Sequence, residues 1–94
     1  MDFSQALGAI QGWIGIAVSV SCVAEGIEYV RATGVIDTPE LLGTDEGEYW
    51  IFPLVGNVGA FSLSQSAFLD ASWSGDGVRL RIDLAAADLE IELA

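Results

Sequence analysis

The chain has 94 residues, 52% of them hydrophobic and 18% charged, with fourteen carboxylates against three arginines and neither lysine nor histidine. A net charge of −11 opposes nucleic-acid binding, which rests on neutralising phosphates with Lys and Arg, and an anionic membrane repels the chain for the same reason. The missing imidazole excludes a Ser-His-Asp triad or a Cys-His pair, the missing lysine excludes Schiff-base chemistry and a phosphate loop, and one cysteine supports neither an internal disulfide nor the usual tetrahedral zinc site.

Residues 1–94 form a single domain, small enough to bury roughly 60–65% of its unfolded surface. One small core does not hide so much apolar surface, which predicts a second apolar contact, most simply a homo-oligomer interface. The alternative is a well-packed monomer with an apolar surface. An excess of acid on a small domain commonly serves solubility; where it selects a partner, that partner is a basic protein or a metal cation.

At the N-terminus Ser4 is the expected helix cap, and Phe3, Leu7, Ile10 and Ile14 recur at helical spacing on one face. Gly12 and Gly15 release the chain. The period then changes to two, with Ile16, Val18, Val20 and Cys22 on one face of a strand and Ala17, Ser19, Ser21 and Val23 on the other. Val20-Ser21-Cys22 loosely matches a lipoprotein cleavage site. No Lys or Arg precedes it and the apolar run is too short to span a bilayer, so a cytoplasmic location is expected.

Glu25-Gly26 reads as a turn and Ile27 to Ile36 as a second strand with no cleanly polar face, Gly34 marking a kink or bulge. Asp37 to Glu48 holds Pro39, two glycines and five acids, Asp37, Glu40, Asp45, Glu46 and Glu48; it reads as a loop and as the acidic surface a basic partner would contact. Carboxylate oxygens suit Ca²⁺, but the spacing fits no EF-hand, so neither metal nor cofactor is expected.

Tyr49-Trp50-Ile51-Phe52 is the densest β-forming run, closing at or just past Pro53. Neighbours on a strand point to opposite faces, so Tyr49 and Trp50 are not both buried in a one-sided sheet and one of them is a candidate anchor; Tyr49, Trp50 and Phe52 are the candidate interface residues. Gly56, Asn57 and Gly59 form a turn before a strand from Ala60 to Leu63. Ser64 caps a helical turn through Ala67, after which Phe68 and Trp73 return to the core.

Ser74-Gly75-Asp76-Gly77 is a further turn. A closing hairpin puts Val78, Leu80, Ile82, Leu84, Leu89, Ile91 and Leu93 inside, with Arg79 and Arg81 facing Glu90 and Glu92 outside. Cys22, with nothing basic nearby, reads as a small buried hydrophobe.

A short helix, a strand entered through Trp13-Ile14-Gly15 and a meander of short strands resemble an Sm-like or SH3-like small barrel in element order. The resemblance implies assembly through strand edges and no reaction, and the RNA-contacting positions of Sm proteins have no match here. The expected fold is mainly β, a small antiparallel barrel or sandwich of about five to six strands with one short N-terminal helix. The expected function is a non-enzymatic, self-associating interaction module. The alternative is an acidic inhibitor or immunity-type protein, a nucleic-acid mimic that occupies a basic protein surface.

Overall fold

A computed structural model describes residues 1–56, 59–74 and 76–94. Within them the chain forms α1 (Phe3–Gln11), β1 (Ala17–Ala24), β2 (Ile27–Ile36), β3 (Glu40–Thr44), β4 (Gly47–Val55), β5 (Ala60–Ser64), β6 (Phe68–Ser74), β7 (Arg79–Leu84) and β8 (Asp88–Leu93). The fold is mainly β and antiparallel with one N-terminal helix, as expected, but has eight strands rather than five or six. Asn57 and Gly75, assigned to turns from the sequence, lie outside the described residues.

The cap lies two residues before Ser4. Asp2 is the N-cap: the Gln5 N–H donates to Asp2 Oδ1 at 2.8 Å, and the Asp2 N–H donates to Gln5 Oε1 at 3.0 Å. This reciprocal box satisfies two of the amides that a helix start leaves without partners. Ser4 lies inside the first turn. Asp2→Ala is therefore expected to destabilise the fold by about 0.5–2 kcal/mol, with Ser4→Ala close to neutral, in urea titrations followed by circular dichroism. An equal loss from both substitutions would contradict this cap.

Phe3, Ala6, Leu7 and Ile10 are buried, and the Phe3 ring meets Phe68 edge-on at 5.8 Å between centroids. Ile14 falls beyond the helix and is exposed. Gly15, at φ 87°, turns the chain into the sheet, and its N–H donates to the Ile36 carbonyl at 2.7 Å.

Hydrogen-bonded neighbours run in the order β6-β7-β8-β1-β2, and the far end of β2 joins β4 through only two pairs, Val35 with Val55 and Ile36 with Leu54. Along the rest of its length β4 lies between β3 and β5. The result is a half-barrel made of a five-strand sheet and a three-strand sheet that share a short seam. Phe52, Ile10, Ile36, Leu63, Leu80, Ile82, Ile91 and Val18 are fully buried between them, and the Phe52 and Phe61 rings stack at 5.0 Å.

Pro53 sits inside β4 rather than ending it. Its neighbour Leu54 donates to Gly59 on the β5 side, whereas the Pro53 carbonyl accepts from the Asp37 N–H on the other side at 2.9 Å. The proline nitrogen therefore faces the gap between the end of β3 and the start of the β2 seam. A missing N–H costs no ladder bond there.

Two expectations change. The acidic stretch is not a loop: Glu40–Thr44 pairs with Gly47–Ile51 around Asp45-Glu46, and the Thr44 hydroxyl donates to the Gly47 carbonyl at 2.8 Å. All five β3 residues are exposed, so no burial pattern marked the strand in the sequence. Nor do Ser64 to Ala67 form a helical turn; they turn β5 into β6. In β6 Leu69 is an extra residue opposite β7, so Phe68 and Ala71, three apart, share the inner face and the period of two is broken. Trp73 stays 45% exposed, its ring against Trp13 at 5.5 Å.

Candidate functional site

The outer face of the five-strand sheet is read from its register. One row across it is Ser72, Arg81, Glu90, Ser21 and Arg31; a second is Ser74, Arg79, Glu92, Ser19 and Thr33; a third is Asp70, Asp83, Asp88, Val23 and Glu28. All three arginines of the chain stand on this face. Arg79 contacts Glu92 at 3.1 Å and Glu90 at 3.9 Å, while Arg81 bridges Asp83 and Asp88, which would otherwise oppose each other across β7 and β8. Asp88 first, then Asp83, hold the Arg81 guanidinium more firmly protonated than usual. The expected pairing of Arg79 and Arg81 with Glu90 and Glu92 is thus present in register, but Arg81 binds the diagonal Asp88. These half-exposed pairs contribute about 0.2–1 kcal/mol each, which suits register-keeping.

Arg31 differs from the other two because its strand is an edge. It contacts Glu28 at 2.9 Å, three residues away. In a regular strand residues three apart lie on opposite faces. Here Tyr29 is an extra residue: Val23 pairs with Glu28 and Cys22 with Val30, which leaves Glu28 and Arg31 on the same outer face. The bulge is at Tyr29, not at Gly34 as the sequence suggested.

The Ser21 hydroxyl first, and the Arg31 guanidinium second, hold the Glu28 carboxyl below the usual carboxylate range. The Ala71 N–H, and after it the Met1 ammonium, do the same for Asp70. Both groups are lowered, so the folded state binds their protons more weakly than the unfolded chain does. Their stabilisation is complete above the ordinary carboxylate range and is lost as pH falls through the depressed values. Glu28→Gln is expected to melt below the wild type near neutral pH, with the gap closing towards pH ~3. A pH-independent gap in melting temperature would refute this role.

From Ile27 to Thr33 the outer edge of β2 has no strand partner among the described residues. Ile27, Tyr29 and Val30 on it are 57%, 64% and 61% exposed. Inside this edge lies an apolar groove of about 320 Å³, bordered by Val30, Ala32, Cys22, Leu54, Phe61 and Leu84. It opens where β2 parts from β4. Cys22 is half-buried in its wall rather than sealed in the core.

The residues singled out from the sequence fall elsewhere. Phe52 is fully buried and offers no surface to a partner; Tyr49 and Trp50 are half-buried, and the Trp50 indole donates to Glu48 at 3.2 Å. Asp37, Glu40, Asp45 and Glu46 are exposed and Glu48 is half-buried, strung along the β2–β3 link and the β3–β4 hairpin. No group of three or more acidic, cysteine or histidine side chains that could hold a metal occurs among the described residues, so the calcium alternative gains no geometry. No helix among them is long and apolar enough to cross a membrane.

Ile27, Tyr29 and Val30 were not singled out from the sequence. The signal was present in the absence of a polar face on β2, which an edge strand with a bulge produces.

Searches against family models, curated proteins and solved structures find no match to this chain.

Proposed function

We propose that this protein is a non-enzymatic, self-associating interaction module that pairs through apolar surface on its strand edges. The observation that carries the reading is the exposure of Ile27, Tyr29 and Val30 side by side on an unpaired edge, next to an open apolar groove. Exposed apolar residues scattered singly are ordinary, but a contiguous set on an unpaired strand is a template for another chain.

Two copies at −11 each repel, and salt screens that repulsion while apolar burial is unaffected or strengthened. Light scattering after size exclusion is expected to give a defined oligomer at low salt and the same or a tighter one at high salt. A monomer at both, up to high micromolar concentration, would end this reading.

A second reading draws on the charge distribution. The acids Asp37, Glu40, Asp45, Glu46 and Glu48 gather about the β3–β4 hairpin, whereas every arginine lies on the opposite sheet's outer face. Such a hairpin suits a basic protein surface. That binding would weaken as salt rises, the reverse of the self-association response.

A further inference from the structure

We infer that a second copy of this chain docks on the β2 edge about a two-fold axis, antiparallel, with Glu28 of each copy opposite Arg31 of the other. The inference rests on the self-association reading and names its surface.

Charge selects the edge. Two chains of −11 approach most easily where the local charge cancels, and β2 carries one glutamate and one arginine. The other outer edges are less suitable: β3 carries Glu40 beside Asp45 and Glu46, β6 carries Asp70, and β5, which among the described residues pairs only with β4, is uncharged but has none of the exposed large apolar residues.

Charge also selects the register. An antiparallel pair of identical strands is self-complementary only about its centre. Centred on Glu28 it opposes two carboxylates, and centred on Arg31 it opposes two guanidiniums. Centred between Tyr29 and Val30 it places Glu28 opposite Arg31 twice, Tyr29 opposite Val30 twice, and Ile27 opposite Ala32 twice. Opposite charges facing each other across strands attract and like charges repel, so one register is favoured over its neighbours.

The bulge makes this arrangement consistent. Directly opposed residues of an antiparallel pair share a face. A two-fold axis perpendicular to the sheet continues outer face into outer face, which requires Glu28 and Arg31 to lie on one side. The extra residue Tyr29 puts them there. On the inner side the added strand brings Val30 and Ala32, at the rim of the groove, opposite Tyr29 and Ile27 of the other copy.

The test uses two single variants, Glu28→Arg and Arg31→Glu, by light scattering across a concentration series. Each alone opposes like charges at both paired positions and is expected to dimerise at least about tenfold more weakly than the wild type. Each also breaks the Glu28–Arg31 contact within its own chain. Mixed in equal amounts, the two restore opposite charges across the interface only, and a heterodimer of near wild-type affinity is expected. Circular dichroism checks that each variant is folded.

If either variant does not fold, Val30→Lys, at an already exposed position, puts two ammonium groups beside the axis and is expected to leave the protein monomeric. A wild-type dimer unmoved by these substitutions, or single variants that weaken without recovery on mixing, would overturn the β2 interface and leave self-association standing. A wild type that is monomeric throughout would overturn both.

Discussion

Phe52→Ala is expected to unfold a large fraction of the protein, at a cost of about 3–5 kcal/mol, the range for truncating a buried aromatic. The side chain is fully inaccessible, stacks on Phe61 at 5.0 Å and lies near Trp50 at 6.4 Å. A domain of this size has a total stability on the order of 5–14 kcal/mol, so the loss is a large share of it. Urea denaturation at low protein concentration reads it directly, since dilution removes any contribution from association. Phe61→Ala is also expected to be costly, and the double variant should lose less than the two singles combined, because the stacked pair is worth about 0.5–1.5 kcal/mol beyond its buried area. Were Phe52 an interface anchor, its removal would leave the monomer's melt in place and abolish association instead. A urea midpoint unchanged from the wild type would show that.

The contrast between Phe52 and Val30 also marks how far the sequence could be read. Regular alternation was legible: β1 and the β7–β8 hairpin begin and end within a residue or two of where their period of two places them, and Arg79 faces Glu92 as alternation requires. Strands that break the period were not. The extra residues Tyr29 and Leu69 each shift the pattern by one, so β2 showed no polar face and β6 was not recognised as a strand. A strand exposed on both faces leaves no hydrophobic signature at all, and β3 is held by its backbone ladder around a turn whose Asp and Gly residues read as loop.

The candidate surface failed to emerge for a related reason. Aromatic residues at Tyr49–Phe52 draw attention as anchors, but whether they point into a core depends on β4 lying between two other strands. That placement is tertiary and is not encoded in the run itself. Ile27, Tyr29 and Val30 are less conspicuous in composition and acquire meaning only because β2 leaves β4 after two pairs. Exposure there is a property of the seam's length.

The seam itself supplies the last test. At Gly34 an added Cβ would stand 2.9 Å from the Val55 carbonyl oxygen and 3.1 Å from the Leu54 Cβ. The first neighbour is backbone and cannot rotate aside, so even a methyl group must push β2 from β4. Only two residue pairs join the sheets there, Val35 with Val55 and Ile36 with Leu54, and they contain the two residues that a Cβ at Gly34 would meet. Gly34→Ala is expected to destabilise by about 1–3 kcal/mol despite the better strand propensity of alanine, the usual range for overpacking.

Gly8 is the control. It is exposed in the middle of α1, with nothing within 4 Å of a built Cβ. Gly8→Ala is therefore expected to stabilise by roughly 0.5–1 kcal/mol through helix propensity and a stiffer unfolded chain. The two substitutions add the same methyl group, so opposite signs in urea midpoints isolate the role of space. If Gly34→Ala also stabilised, the close approach of β2 to β4 would be wrong.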